Sequence, residues 1–127
     1  MTSIRILRYS FMILFLWFGY HQLMYPEMWT GFLPEWIGYF PIPAEMIIQL
    51  NGWFEVVAAL FLGFGIFTRI IASLLAVHLF MVAVEVEGAI GMRDAVLAMI
   101  GVALATSPAD PWTLDFRYGK TEQKKLL

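Results

Sequence analysis

No cysteine occurs in the 127 residues. That absence excludes disulfides, thiol redox chemistry, thiolate metal sites and haem attachment through Cys. Charge is scarce too: charged residues make up 14% of the chain, against about a quarter in soluble domains. The net charge of −2 gives no reason to expect a nucleic-acid partner. Only two histidines are present, His21 and His78, and no HExxH-type spacing marks a metal site. There is no internal repeat and no low-complexity tract.

What the chain does have is apolar surface. Hydrophobic residues reach 61% and the mean hydropathy is +0.74. A small soluble domain could not hide that much, because small domains bury the smaller share of their surface. Lipid is the natural solvent for the excess. A span needs about 20 mostly apolar residues. Four windows qualify or nearly so: 4–24, 44–67, 70–86 and 92–106. Arg5 and Arg8 followed by an apolar run resemble a signal peptide, but no small-x-small cleavage site follows, so the run reads as an uncleaved first span. Pro43 suits the start of the second window. Only Thr68 and Arg69 separate the second from the third, which predicts a tight antiparallel hairpin. The expected fold is all-α: an integral membrane antiparallel four-helix bundle, with residues 1–106 as the transmembrane domain and 107–127 as a cytoplasmic tail.

Orientation follows from Lys and Arg. Arg5, Arg8, Arg69, Arg117, Lys120, Lys124 and Lys125 fall on one side and Arg93 on the other. This predicts both termini in the cytoplasm, in a bacterial or archaeal cytoplasmic membrane. The loop 26–43 carries Trp29, Phe32, Trp36, Tyr39 and Phe40 among four prolines. It is too broken to cross. It reads as an interfacial segment, either a cap over the bundle or an ordinary aromatic belt. The tail after Ser107, with Trp112, Phe116 and Tyr118, reads as resting on the inner surface or as disordered.

Ionisable residues inside a span are costly, so each is a candidate for function. Glu55 lies near the middle of the second window. Asn51, Ala59 and Gly63 share its helical face, and the small residues turn that face toward other helices. A lone ionised carboxylate there would be severely destabilising, so Glu55 is expected to hold its proton or to be paired. His78 sits mid-span in the third window, with Glu85 toward the outer end of its face. Asp94 opens a face continued by Ala98, Gly101 and Ala105, with Arg93 beside it. His21 lies near the outer end of the first span. Together His21, Glu85, Arg93 and Asp94 predict an outer polar network, with Asn51, Glu55 and His78 deeper. The whole set is either a polar pocket or a network that only fixes packing. A haem held by His21 and His78 is disfavoured, because helix rise places them about 6 Å apart in depth.

Three stretches carry a resemblance. They are Gly52-Trp53-Phe54-Glu55, then Leu62-Gly63-Phe64-Gly65-Ile66-Phe67-Thr68-Arg69, then Met92-Arg93-Asp94 at the start of the last span. With Arg8 and Gly19, they resemble the DoxX/DoxD family of small membrane proteins over nearly the whole chain. The resemblance implies a four-helix fold and an association with redox chemistry, since named members of the family belong to a thiosulfate:quinone oxidoreductase.

The leading expectation is an accessory or anchor subunit of a larger respiratory or other redox complex rather than an independent enzyme. Other membrane subunits or further copies of the chain are the expected partners, besides the lipid bilayer. Such a subunit has no intrinsic cofactor but can contribute to a quinone or lipid pocket. Glu55 and His78 would then form a proton relay, with Asn51, Glu55, His78 and Asp94 around a quinone headgroup. The alternatives are a stand-alone small-molecule binder or transporter, and a purely structural or assembly protein.

Overall fold

The computed structural model describes residues 2–86 and 88–126. Five helices account for most of them: α1 Thr2–Met24, α2 Ala44–Phe64, α3 Thr68–Glu85, α4 Ala89–Thr106 and α5 Leu114–Leu126. No strand occurs among the described residues. Three of the helices, α2, α3 and α4, are long and apolar enough to cross a membrane. The longest, α1, carries Arg5 and Arg8 near its start and His21 and Gln22 near its end. Between α1 and α2 the prolines leave only three short 3-10 turns, Pro26–Met28, Thr30–Phe32 and Glu35–Tyr39.

The helices run shorter or longer than hydropathy alone predicts, for local reasons. α2 stops at Phe64 rather than at residue 67 because Gly65 turns left-handed, with φ 71° and ψ 38°. The Gly65 N–H donates to Leu62 O at 3.2 Å and the Ile66 N–H to Phe61 O at 3.0 Å. This is a Schellman ending, which glycine makes without strain. α4 starts three residues before the hydropathy window, at Ala89 after Gly88.

Side-chain pairs fix the directions. Arg8 meets Leu62 and Gly63, and Gln22 meets Glu55, so α1 and α2 are antiparallel. His78 meets Glu55, and α3 therefore runs against α2. Gly101 lies against Ala76 and Gly91 against Ala83, which makes α4 antiparallel to α3. The packing is strongest within the pairs α1–α2 and α3–α4. A core of Phe11, Phe15, Ala59, Leu62, Ala72 and Leu75, with Ala98 and Leu104 from α4, closes the space between them. Outward-facing side chains such as Ile13, Leu50, Trp53, Val77 and Met99 are exposed, as expected where lipid is the solvent.

At Gly19 and Gly52 the backbones of α1 and α2 all but touch. A Cβ on Gly19 would lie 2.8 Å from Gly52 O, and one on Gly52 would lie 2.9 Å from Gly19 O. Small residues permit this closeness. It brings Gln22, one turn on from Gly19, within reach of Glu55, one turn on from Gly52.

The segment after α4 folds back onto the helix ends. Asp110 and Thr113 are buried. The Asp115 N–H donates to Gly65 O, and the Asp115 carboxylate accepts from the N–H groups of Phe67 and Thr68. Asp115 thus supplies the cap that α3, which begins after Phe67, lacks locally.

Candidate functional site

Glu55 is buried and paired, the second of the two states open to it from sequence. Gln22 Nε2 donates to its Oε2 at 2.9 Å. Asn51 Nδ2 donates to its Oε1 at 3.1 Å and also to Gln22 Oε1 at 2.7 Å. His78 Nε2 lies 2.9 Å from Oε1. The two amides spend donors on Glu55, a set that suits a carboxylate. With the carboxylate ionised, the imidazole N–H donates; with the proton on Glu55, the bond reverses.

These groups lie on the wall of a cavity of about 460 Å³. His21, Asn51, Glu55, His78, Arg93 and Asp94 all line it. The loop supplies Met28, Trp29 and Phe32 to the same wall, and Phe15, Phe18, Leu79 and Val82 make much of the rest apolar. The aromatic loop is therefore part of the enclosure at this end.

His21 ties the loop down. Its ring stacks on Trp17 at 5.1 Å, and Trp29 Nε1 donates to its Nδ1 at 2.8 Å. An indole N–H can only donate. Nδ1 must therefore be the acceptor, and the proton of the neutral ring sits on Nε2.

Asp94 is buried and accepts from the neighbouring Arg93, Nε to Oδ1 at 3.0 Å. The Arg93 side chain is 53% exposed, and its guanidinium lies 5.9 Å from the centre of the Phe18 ring. The structure does not bring Glu85 to this cavity. Glu85 lines a separate groove with Gly31, Pro34, Trp36 and Tyr39. One turn more of α3 carries it past the cavity and under the loop.

Gln22 escaped sequence reasoning because a glutamine near a helix end looks like an ordinary interfacial residue. Its spacing from Gly19, mirrored by Glu55 after Gly52, was the available signal. Asp110 also escaped, although Arg5 and Arg8 share a helix face and need a counter-charge. Arg5 Nη2 lies 2.9 Å from Asp110 Oδ1, and Arg8 Nη2 lies 3.2 Å from Oδ2. Arg8 also donates through Nη1 to Gly63 O at 2.9 Å and to Leu62 O at 2.6 Å. It thereby caps the negative end of α2. Burial alone would raise the Asp110 carboxyl. Hydrogen bonds from Arg5, from the Trp112 N–H and from Arg8 outweigh it and hold the carboxyl below the usual range.

Apolar helices of spanning length, packed around a buried carboxylate that a half-buried imidazole meets, fit an integral membrane protein with an internal polar site. The DoxX family model matches residues 3–88, more than half of the chain, and the protein belongs to that family. The match takes in Arg8, Gly19, Glu55, His78 and the Gly-rich stretch ending in Thr68-Arg69, but it ends before Arg93-Asp94. The resemblance is thus narrower than the nearly whole-chain likeness read from the motifs. No curated protein and no solved structure matches the chain.

Proposed function

We propose that this protein is an accessory membrane subunit that offers a proton-exchanging pocket to a quinone-type headgroup within a larger redox complex. One observation carries the reading. A buried carboxylate, held by two amides and an imidazole, lies on the wall of a largely apolar cavity of about 460 Å³. That volume lies within the roughly 300–1,000 Å³ of small-molecule sites. A quinone ring needs an apolar slot, hydrogen-bond donors at its oxygens and a proton source. The cavity supplies Phe18, Leu79 and Val82 for the first and His78 for the second, with Asn51 on the same wall but both its donors spent on Gln22 and Glu55. The Glu55–His78 contact supplies the third. The bound group would contribute the electron chemistry. The chain's own residues bind its head, orient it and move a proton between Glu55 and His78.

The reading includes four spans, with α1 as the first, and both termini cytoplasmic. Its Arg5 and Arg8 pair with Asp110, and Arg8 also donates to helix carbonyls, which supports placing α1 beside the other three despite its charges. In the proposed setting His21, Arg93 and Asp94 hold the mouth of the pocket, and Glu85 stands apart from it.

Purification in mild detergent followed by mass spectrometry tests the assignment. Stoichiometric co-purifying subunits are the expected result. A clean single species without subunits or a bound small molecule would remove the accessory role and leave a purely structural protein.

A further inference from the structure

A second cavity, of about 320 Å³, lies at the opposite end of the molecule, lined by Arg8 and Arg69, with Arg5 paired to Asp110 on its wall. Its lining is mostly apolar, with Ile4, Phe67, Ile70, Leu104 and Pro108. Two buried side-chain polar atoms lack a hydrogen-bond partner among the described residues: Arg8 Nε and Thr68 Oγ1. Both residues line this one cavity. Buried polar groups are nearly always satisfied, so an orphan in a folded protein points to an absent partner.

Charge narrows the choice of partner. Arg5 and Arg8 share the single carboxylate of Asp110, which leaves one positive charge in excess. Asp115 also lines the cavity and its charge offsets that excess, with both its oxygens taken by the Phe67 and Thr68 N–H groups; Arg69 restores it, so three guanidinium groups face two carboxylates. Arg69 is exposed on the rim and forms no ion pair among the described residues. Water could accept a hydrogen bond but would leave the charge. Inorganic phosphate could answer the charge but not the apolar lining.

We propose that this cavity holds an anionic phospholipid, with part of an acyl chain among Ile4, Ile70 and Leu104 and the phosphate against Thr68 and Arg69. Basic side chains at a membrane end attract anionic headgroups in general; here the unpartnered atoms and the apolar lining make a defined seat. The proposal is independent of the quinone reading, because the two cavities share no residue.

The test uses the full chain in detergent. Phosphatidylglycerol, phosphatidylcholine and inorganic phosphate are added separately at equal concentration, and the Tm and the lipids retained in native mass spectra are measured. Phosphatidylglycerol should raise the Tm by several degrees and persist as a single adduct, whereas the other two should do neither. Arg69→Gln removes the rim charge, and Ala109→Trp fills the cavity from its exposed edge. Each should lose most of the shift and the adduct while keeping a Tm near wild type without lipid. An undiminished phosphatidylglycerol shift in both variants would overturn the proposal. So would an equal shift from phosphatidylcholine, or a full shift from phosphate alone.

Discussion

At Glu55 the cost of a substitution depends on what its neighbours are left holding. Gln22, Asn51 and His78 all spend a polar atom on this carboxylate. Glu55→Gln keeps the volume and most hydrogen bonds but cannot take up a proton. It should fold and assemble like wild type while abolishing proton-coupled turnover. Glu55→Leu strands three polar partners. It should cost a few kcal/mol, since each buried polar group left unpartnered costs about 1–3 kcal/mol. Thermal unfolding and quinone-linked turnover of both variants check this. Normal turnover in Glu55→Gln would remove Glu55 from any proton transfer. That Glu55 mattered was legible, since a carboxylate amid apolar sequence stands out. Which groups hold it was not, because Gln22 is distant in sequence and reaches it only through the glycine crossing.

Asp110 makes the complementary case at the other end. Its carboxyl is held below the ordinary range, so the unfolded chain takes up the proton first as pH falls. The stability it gives is present above the unfolded value near 3.8 and is lost as pH drops through the lower folded value. Asp110→Asn should therefore lower the Tm at neutral pH and flatten its fall in acid. An acid limb unchanged by the substitution would show that another group controls it.

Among elements, the closest approach is between α1 and α2. Gly52→Leu would drive a side chain into Gly19 O and the Gln22 side chain, which lie about 3 Å from the added Cβ. Overpacking of this kind costs about 1–3 kcal/mol, and here it also parts Gln22 from Glu55. A Tm equal to wild type in Gly52→Leu would contradict this register. Hydropathy placed the three apolar helices well because their lipid-facing sides dominate composition. Their ends were less legible. The stop at Phe64 depends on one left-handed glycine, and α3 borrows its cap from Asp115, 47 residues beyond Thr68. The segment 107–127 read as a tail because its polarity is local, whereas its anchoring through Asp110 to α1 is not.

On the scale of the whole molecule, two polar centres sit at opposite ends of an apolar body. The Arg5–Asp110–Arg8 cluster closes the end that gathers the basic residues, and the cavity holding Glu55 and His78 opens toward the aromatic loop. The proposed topology puts Trp36 and Gly88 on the side away from both termini. Reporter fusions should show Gly88 outside, and cytoplasmic activity there would reverse the charge argument. The most direct test of the central claim is a fluorescence titration with a short-tailed quinone, because Trp17 and Trp29 line the cavity beside His21. Quenching should saturate in the wild type. Half-saturation should rise about tenfold, or about 1.4 kcal/mol, in Glu55→Gln and in His78→Ala. Linear, unsaturable quenching in the wild type, or identical curves for all three proteins, would contradict a binding pocket at Glu55 and His78.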